Sequence, residues 1–462
     1  MAARAALDPR ACLARVTACL AWAGLSACGD AEVLNPVPLT LMDGGAATCP
    51  ELSDTNPWED RLGNNTLANR GALLGCAHVG TLTRAGVSYA TSYPLIVGEA
   101  KNGAELFVLQ YVSEGRPDQA RAVTALAYLP TGDATNIATV AAGHGMFGLG
   151  SACGPSHIPN MIEALALPLV GRGHAVLAPD YAGIGVDNGK TSFLIGASEA
   201  AATLDGVRAL RQLTDHRFDV HRLGKDFFAA GWSQGGHAAL FTHQLFDPAS
   251  GLRFLGSIAF APGLGSARAF AENFHDAGRP VGIRETLAAA FPYSYMLYAG
   301  GPEAGTWLTP EAANVLPEIF NDDCLPRLLA SVPAKLPTVG HIYQPSFIGA
   351  AAGCNFKVGC PAFEPWASAL IGNEPGAFTS AAPSLILQGL ADFYASPDTV
   401  ACTVQRLQKH GTPVEACAYP GIDHVGIVTI AAPDMLRWID ARRAGETPQI
   451  CTESLAVACV SQ

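Results

Sequence analysis

Short apolar runs alternate with segments of helical periodicity along most of the chain after about residue 104. Continuous apolar runs are typical of strands buried on both faces of a parallel sheet, and the periodic segments between them indicate covering helices. The predicted strands are Leu106–Leu109, Ala122–Leu129, Ile137–Ala142, Ala175–Ala178, Phe227–Ala230, Phe254–Phe260, Leu385–Leu387 and Val414–Tyr419. Pro159–Arg172 and Ala197–Leu213 are predicted helices. The pattern predicts an α/β protein with a mostly parallel sheet flanked by helices.

The alternation stops over residues 263–382, a stretch much longer than a single helical crossover needs. It holds two predicted helices, one with Ala267, Phe270 and Phe274 on a single face and one, Glu285–Phe291, that stops or kinks at Pro292. We interpret this segment as a largely helical cap over the functional site. A structural excursion that only covers sheet edges is the alternative.

The pattern divides the 462 residues into six parts. They are a signal peptide (1–27), a loop-rich N-terminal segment (28–104), two parts of an α/β core (105–262 and 383–443), the cap (263–382) and a cysteine-containing tail (444–462). Apolar residues make up 49% and charged residues 15%, which excludes a disordered chain. The net charge of −12, without a basic cluster, argues against nucleic acid as a partner.

The N-terminus has the features of an export signal. A basic stretch precedes Val16–Leu25, an apolar run too short to span a bilayer permanently. This run leads into Leu25-Ser26-Ala27-Cys28-Gly29, which resembles a bacterial lipobox, whose cysteine is acylated and becomes the first residue of the mature chain. We therefore expect a secreted protein or a cell-envelope lipoprotein, anchored to a membrane through Cys28 at the outer membrane or cell surface. An ordinary signal peptide with a chance cysteine is the alternative.

The cysteine count predicts disulfides. Of 13 cysteines, Cys12, Cys19 and Cys28 belong to the predicted signal and anchor, so ten remain, an even number in an exported chain. Because short loops close easily, we expect the pairs Cys402–Cys417, Cys354–Cys360 and Cys451–Cys459. No CxxC pair or histidine cluster stands among these cysteines, so no metal site is predicted.

The strongest motif for chemistry is Gly231-Trp232-Ser233-Gln234-Gly235. It follows the predicted strand Phe227–Ala230 and precedes a helix-like segment. A serine on a sharp strand-to-helix turn needs small neighbours because its backbone is strained and other segments pass close to it. In this setting the motif predicts that Ser233 is a nucleophile.

A serine hydroxyl needs a base, and a histidine oriented by a carboxylate supplies one. In this architecture the order along the chain is Ser, Asp, His, with each residue after a strand. Asp392 follows Leu385–Leu387 and His424 follows Val414–Tyr419, so these residues are the predicted acid and base. Asp398 is a weaker candidate for the acid.

Two neighbouring residues have other interpretations. Asp423 adjoins His424 in an extended chain and points elsewhere, so it is not expected to orient the imidazole. His237 lies one helical turn beyond Ser233 and is interpreted as a packed helix residue.

The tetrahedral intermediate of acyl transfer needs hydrogen-bond donors for its oxyanion. One predicted donor is the Gln234 N–H, at the start of the helix after the nucleophile. The second is expected from the glycine-rich loop Gly143–Gly148, through the N–H of Gly145 or Met146. A plain glycine turn is the alternative interpretation of that loop.

Together these segments resemble the secretory lipase family of the α/β-hydrolase superfamily. The matching stretches are His144-Gly145, Leu177–Gly185, Leu204–Ala209 and Gly231–Leu240. Trp232 stands where many hydrolases carry histidine. The resemblance implies a Ser233–Asp392–His424 triad, a lid between the sixth and seventh core strands, and hydrolysis of carboxylic esters, including acylglycerols, without a cofactor.

Three functions follow as hypotheses. The first is a lipase or carboxylesterase that acts on acyl esters through an acyl-enzyme on Ser233. The second is a serine peptidase or acyltransferase on the same fold. The third is a non-catalytic surface lipoprotein that binds a hydrophobic ligand or partner.

Overall fold

The computed structural model describes residues 58–90, 97–186, 191–218, 222–263, 267–356 and 359–459. The predicted signal peptide and Cys28 lie outside the described residues. Most of the predicted loop-rich segment before residue 58 lies outside them as well.

In the described part of the chain, nine strands form one sheet. They are β1 (Leu73–Leu82), β2 (Ala104–Arg116), β3 (Gln119–Pro130), β4 (Ile137–Gly143), β5 (Ala175–Pro179), β6 (Leu223–Trp232), β7 (Arg253–Phe260), β8 (Ser384–Gly389) and β9 (Val414–Tyr419). Their order is β1-β2-β3-β5-β4-β6-β7-β8-β9. The first three neighbouring pairs are antiparallel and the remaining five are parallel. The prediction of a mostly parallel sheet is confirmed.

The helices lie in two groups, one that flanks the sheet and one between β7 and β8. The flanking helices are α1 (Arg84–Ala90), α2 (Asn160–Gly171), α3 (Gly196–Phe218), α4 (Gln234–Gln244), α12 (Pro397–Lys409) and α13 (Gly426–Arg443). The others, which we call the cap helices, are α5 (Ala267–Ala271), α6 (Ile283–Ala299), α7 (Pro310–Asp322), α8 (Arg327–Lys335), α9 (Val339–Ile342), α10 (Pro345–Ala352) and α11 (Trp366–Gly372). Short 3-10 turns occur at Leu67–Asn69, Pro248–Ser250, Ala304–Thr306 and Pro361–Phe363.

The centre of the sheet explains why the strands were visible in the sequence. Every residue of β4 and β5 is buried, so both faces of these strands require apolar side chains. The chain order reverses where β4 lies between β5 and β6, and Gly143 pairs with Gly231 at the carboxyl ends of β4 and β6. The loop after β4 and the turn after β6 therefore start side by side.

The cap helices form an apolar core of their own. It includes the buried aromatic residues Phe274, Trp307 and Phe320 and also takes in Phe193 and Ile195 from the segment before α3. The cap is therefore packed onto the sheet domain through apolar contacts.

Two details of the cap differ from the prediction. Helix α6 does not stop at Pro292 but continues to Ala299. Proline removes one backbone hydrogen bond, whereas buried side chains on both sides of it, such as Phe291 and Tyr293, keep the helix packed. Helix α5 is shorter than predicted and ends at Ala271, so that Phe274 is buried from the turn that follows.

The described part of the N-terminal segment also differs from the loop-rich expectation, since it contains β1 and α1. Strand β1 is the outer neighbour of β2, and its burial pattern mixes buried and half-buried positions. Two irregularities interrupt its register against β2. An edge strand of this kind lacks the continuous apolar run that marks the central strands.

The disulfides correct two of the three predicted pairs. The bonds are Cys153–Cys324, Cys354–Cys360, Cys402–Cys459 and Cys417–Cys451, and Cys76 is disulfide-bonded as well. Cys354–Cys360 is confirmed, whereas Cys402–Cys417 and Cys451–Cys459 were wrong. The C-terminal tail runs beside β9 and brings Cys451 to Cys417 and Cys459 to Cys402 of α12. The pairing is therefore set by which cysteines the fold brings together and not by the length of the loop between them. Structural disulfides persist outside the reducing cytosol, and the protein is therefore an exported one.

The same tail is bonded to the sheet through its backbone. Ala418 donates to the Glu453 carbonyl at 2.8 Å, and Leu455 donates to the Ala416 carbonyl at 2.8 Å. Cys417 and Ser454 form an antiparallel bridge. The outer side of β9 is thus paired with residues 453–455.

None of the helices that the structure describes has the length and apolar character needed to cross a membrane.

Candidate active site

Ser233 lies at the turn between β6 and α4, with φ of 56° and ψ of −118°. This left-handed backbone is strained for a side chain larger than glycine, and the turn leaves no room beside it. A Cβ on Gly231 would lie 2.1 Å from the Gly235 carbonyl oxygen, and a Cβ on Gly235 would lie 1.9 Å from the Gly143 carbonyl oxygen. The glycines of the motif therefore permit the sharp turn that raises Ser233 above the sheet.

His424 and Asp392 come from the loops after β9 and β8 and meet Ser233 at the carboxyl edge of the sheet. The His424 Nε2 atom lies 2.9 Å from the Ser233 Oγ atom, and Nδ1 lies 2.7 Å from Asp392 Oδ2. The three predicted side chains are thus within hydrogen-bond distance in the predicted order. This chain of bonds can carry a proton from the hydroxyl to the imidazole while the carboxylate fixes the ring.

The carboxylate of Asp392 is itself held in place. Its side chain is fully buried, and Oδ1 accepts hydrogen bonds from the backbone N–H groups of Tyr394 and Ala395 at 2.8 and 2.9 Å. These bonds fix the plane of the carboxyl group and leave Oδ2 directed at the imidazole. A fixed acceptor selects the tautomer with a hydrogen on Nδ1, so that Nε2 is available as a base.

The weaker candidates lie elsewhere. Asp398 is in the first turn of α12, on the cavity wall, and the carboxylate bonded to His424 belongs to Asp392. Asp423 accepts a hydrogen bond from the Gly426 N–H at 2.8 Å. His237, expected to be a packed helix residue, is buried in α4 and is bonded to Glu199.

The predicted oxyanion donors lie around Ser233. Gln234 is the first residue of α4, and it lines the same cavity as Ser233 and Met146. Gly145 lies against the Trp232 indole, where a Cβ would approach a ring carbon to 2.6 Å. The loop can therefore pass close to the nucleophile only with glycine at this position. The role of the Gln234, Gly145 and Met146 N–H groups stays a prediction.

His144 shapes this loop from inside. Its Nδ1 atom lies 2.6 Å from the Gly145 carbonyl oxygen, and its ring packs against Tyr181 with centroids 4.7 Å apart. Burial lowers the pKa of His144, which keeps the ring neutral near pH 7. A neutral imidazole donates through Nδ1 to the carbonyl and stabilises the loop conformation.

A cavity of about 480 Å³ opens from Ser233 and His424 toward the cap. Its apolar wall includes Phe193, Leu194, Phe270, Ala288, Leu287, Leu325 and Leu329. Asn273, Arg279 and Arg284 add polar groups. The mixed lining suits a ligand with an apolar chain and a few polar atoms.

Two residues beside the triad make contacts that the sequence pattern did not predict. Trp232 donates from Nε1 to the backbone carbonyl of His424 at 2.6 Å. Glu199, in α3, is fully buried and is bonded to Gln234 and His237. The sequence signal for Glu199 was its position on the same predicted helical face as Ala202 and Leu210, which are buried.

Among the described residues, one group has metal-ligand proximity: Glu415, Cys417 and Cys451. Because the two cysteines are joined in a disulfide, their sulfur atoms are not thiolate ligands.

The strand order, the turn at Ser233 and the cap between β7 and β8 define the α/β-hydrolase fold, and the chain has this fold. The structure is similar to a ligand-bound form of the rice cell wall degrading esterase LipA from Xanthomonas oryzae, with a TM-score of 0.66 and 19% identity over 81% of this chain and 97% of that one. It is also similar to Candida antarctica lipase A in its closed state, with a TM-score of 0.65 and 19% identity over 90% and 92% of the two chains.

The sequence is similar to Lipase A of Moesziomyces aphidis, with 26% identity over 244 residues. The match covers 50% of this chain and 45% of that protein, so the chain spans less than half of the relative's length. No family model matches the chain.

Proposed function

We propose that the protein is a serine carboxylic-ester hydrolase, a lipase or carboxylesterase that acts on acyl esters. The observation that carries the proposal is the bonded series Asp392–His424–Ser233 in the wall of a largely apolar cavity. The likeness to Lipase A and to the two solved esterase and lipase structures supports the same reaction class.

In the proposed mechanism the Ser233 hydroxyl attacks the ester carbonyl while His424 Nε2 takes its proton. The Gln234 N–H and a donor from the loop with Gly145 and Met146 stabilise the oxyanion. The imidazolium then gives its proton to the leaving alcohol, which departs and leaves the acyl group on Ser233. Water, deprotonated by His424, attacks the acyl-enzyme and releases the carboxylic acid. Asp392 keeps the imidazole oriented and stabilises its charge in both steps.

The test is hydrolysis of a chain-length series of p-nitrophenyl esters by the purified protein and by Ser233→Ala. We expect measurable turnover by the wild type and at least about a thousandfold loss of kcat in the variant, because the nucleophile is removed. A peptide panel tests the alternative peptidase reaction in parallel. Turnover that survives Ser233→Ala would reject the mechanism.

Asp392→Asn tests the acid separately. The amide cannot select the Nδ1–H tautomer, so kcat should fall by on the order of 10³–10⁴ with little change in KM. Asp398→Asn is the matched control and should retain most of the activity. A larger loss in Asp398→Asn than in Asp392→Asn would transfer the role to Asp398.

For localisation, we propose that Cys28 is acylated and anchors the exported protein to a membrane of the cell envelope. The support is the Leu25-Ser26-Ala27-Cys28 sequence, together with the disulfides that place the chain in an oxidising compartment. Metabolic labelling with an alkyne fatty acid should mark the wild type and not Cys28→Ser. Equal labelling of the two proteins would contradict the anchor.

A further inference from the structure

A buried hydrogen-bond network lies behind the nucleophile turn and is not used by the proposed proton transfer. Its centre is Glu199, whose side chain is fully buried, beside His237, whose side chain is 1% exposed. The distance between Glu199 Oε2 and His237 Nδ1 is 2.6 Å. This distance is that of a hydrogen bond, and His237 Nε2 donates to the Asn373 carbonyl at 2.8 Å.

The second carboxylate oxygen of Glu199 joins two parts of the cavity wall. Oε1 accepts from the Gln234 side-chain Nε2 at 2.9 Å and from the Leu194 backbone N–H at 3.1 Å. Gln234 carries the predicted oxyanion donor on its backbone, and Leu194 lines the cavity with φ of 54°, a strained value for leucine. One carboxylate therefore fixes both segments.

Asn373 extends the network to the cap. It follows α11, and its side-chain oxygen accepts from the Gly196 N–H at 2.8 Å, while its backbone carbonyl accepts from His237. Gly196 begins α3, the helix that carries Glu199. The end of the cap is thus bonded to both helices that flank the nucleophile turn.

A carboxylate buried this deeply is costly unless each oxygen is satisfied, and here both oxygens accept bonds from groups that shape the site. An apolar side chain at position 199 could fill the same buried space without this cost. We propose that Glu199 is a positioning residue for the reaction, which through the Gln234 side chain holds the Gln234 N–H toward the oxyanion and, through His237, ties that geometry to the cap.

The inference rests on the proposed ester hydrolysis, and its test separates the two. Glu199→Ala, Glu199→Gln and Gln234→Ala are compared with His243→Ala. His243 is a matched control because it is a second buried histidine of α4, bonded to Ser257 and Ser380 and not to the site. The measurements are kcat and KM on a p-nitrophenyl ester, the Ki of a trifluoromethyl ketone as an oxyanion mimic, and hydrogen–deuterium exchange of the peptide that contains Gln234.

In Glu199→Ala we expect kcat to fall about tenfold to a hundredfold, with KM changed less than about twofold. A displaced Gln234 N–H weakens the hydrogen bond to the oxyanion, and this bond stabilises the transition state much more than the bound ester. The Ki of the ketone should rise by a similar factor. Glu199→Gln should recover most of the activity, since its oxygen can accept from Gln234 and Leu194 while its amide donates to a neutral His237. Gln234→Ala, which keeps the backbone N–H, should show part of the kcat loss in a folded protein.

Hydrogen–deuterium exchange tests whether Glu199 positions Gln234, and this test does not depend on ester hydrolysis. Faster exchange at the Gln234 peptide in Glu199→Ala than in His243→Ala supports the inference. If Glu199→Ala fails to fold, Gln234→Ala and Glu199→Gln carry the test. The inference would be overturned if Gln234→Ala had the same kcat, Ki and exchange rate as the wild type. It would also be overturned if kcat and ketone affinity fell equally in Glu199→Ala and His243→Ala. A wild type without Ser233-dependent turnover would reject the proposed function and leave the exchange comparison to decide the role of Glu199.

Discussion

The indole of Trp232 holds the backbone of His424. Its Nε1 atom donates to the His424 carbonyl at 2.6 Å, and the two rings lie 5.2 Å apart between centroids. The residue before the nucleophile thus fixes the residue that is proposed to deprotonate it. This hydrogen bond joins two loops that lie 192 residues apart in the chain.

Trp232→Phe keeps an aromatic ring and removes this donor. We expect kcat for ester hydrolysis to fall about tenfold with KM nearly unchanged, because the imidazole is less well placed for proton transfer. The free energy of unfolding should fall by about 1 kcal/mol for the lost hydrogen bond. Steady-state kinetics and urea denaturation measure the two effects. Trp307→Phe, in the cap core, controls for loss of indole volume, and equal kcat in the two variants would contradict the positioning role of Trp232.

Gly235→Ala should destabilise the protein by more than about 3 kcal/mol, because the new Cβ would lie 1.9 Å from a backbone oxygen of Gly143 and neither segment can move freely. Gly349→Ala is the matched control, since Gly349 is also helical and a Cβ there meets nothing within 4 Å. That control should gain stability by about 0.5–1 kcal/mol. Thermal or urea unfolding of both variants gives the comparison, and similar stability of the two would show that the turn can relax.

The Cys153–Cys324 bond joins the segment after β4 to the cap across a sequence separation of 171, whereas Cys354–Cys360 closes a separation of 6. A crosslink over a longer loop removes more entropy from the unfolded chain. Replacing both cysteines of the long-range bond by alanine should therefore destabilise the protein by up to about 3 kcal/mol more than the same change at the short-range bond. Urea denaturation of the two double variants measures this difference. A larger loss at Cys354–Cys360 would mean that native-state contacts outweigh chain entropy.

His174 should make the fold sensitive to acid. Its side chain is buried, and desolvation, followed by the charges of Arg443 and Arg172, lowers its pKa from 6.5 to about 4. The unfolded state therefore takes up a proton first as the pH falls, so stability is full above pH 6.5 and is lost as the pH drops toward 4. Between pH 7.5 and 5.0 the loss from this group should approach about 2 kcal/mol.

His174→Gln removes that titration, and urea denaturation at the two pH values should show a smaller decrease in the variant by about the same amount. His243 remains in both proteins and cancels in the comparison, although burial also lowers its pKa, to about 3. Equal pH dependence in the variant and the wild type would contradict the assignment to His174.

The sequence predicted the sheet best where the chain is buried on both sides. The apolar run Ile137–Ala142 is β4 with one residue added, and Val414–Tyr419 is β9 without change. Edge strand β1 was missed because its half-exposed residues follow no continuous pattern. Local apolar runs therefore predict the central strands of the sheet, whereas the edge strand has no such run and is not predicted.

The prediction of the candidate site depended on the position of each residue directly after a strand. Ser233, Asp392 and His424 each follow a parallel strand, and parallel strands end on one edge, so their approach could be anticipated. The contact between Trp232 and His424 could not be anticipated, since these residues lie 192 positions apart in the chain. The same holds for the contacts of Glu199 with Gln234 and His237, which lie 35 and 38 positions away. Two of the three predicted disulfides were wrong for the same reason: Cys417 meets Cys451 because the tail runs back along β9.

That return of the tail has a consequence for association between molecules. An outermost strand normally offers a row of unsatisfied amide and carbonyl groups, to which a strand of another chain can add. On β9 part of this row is occupied by residues 453–455, and two covalent bonds keep them there. Residues 453–455 thus cover part of this edge of the sheet, where they oppose the addition of a strand from another molecule.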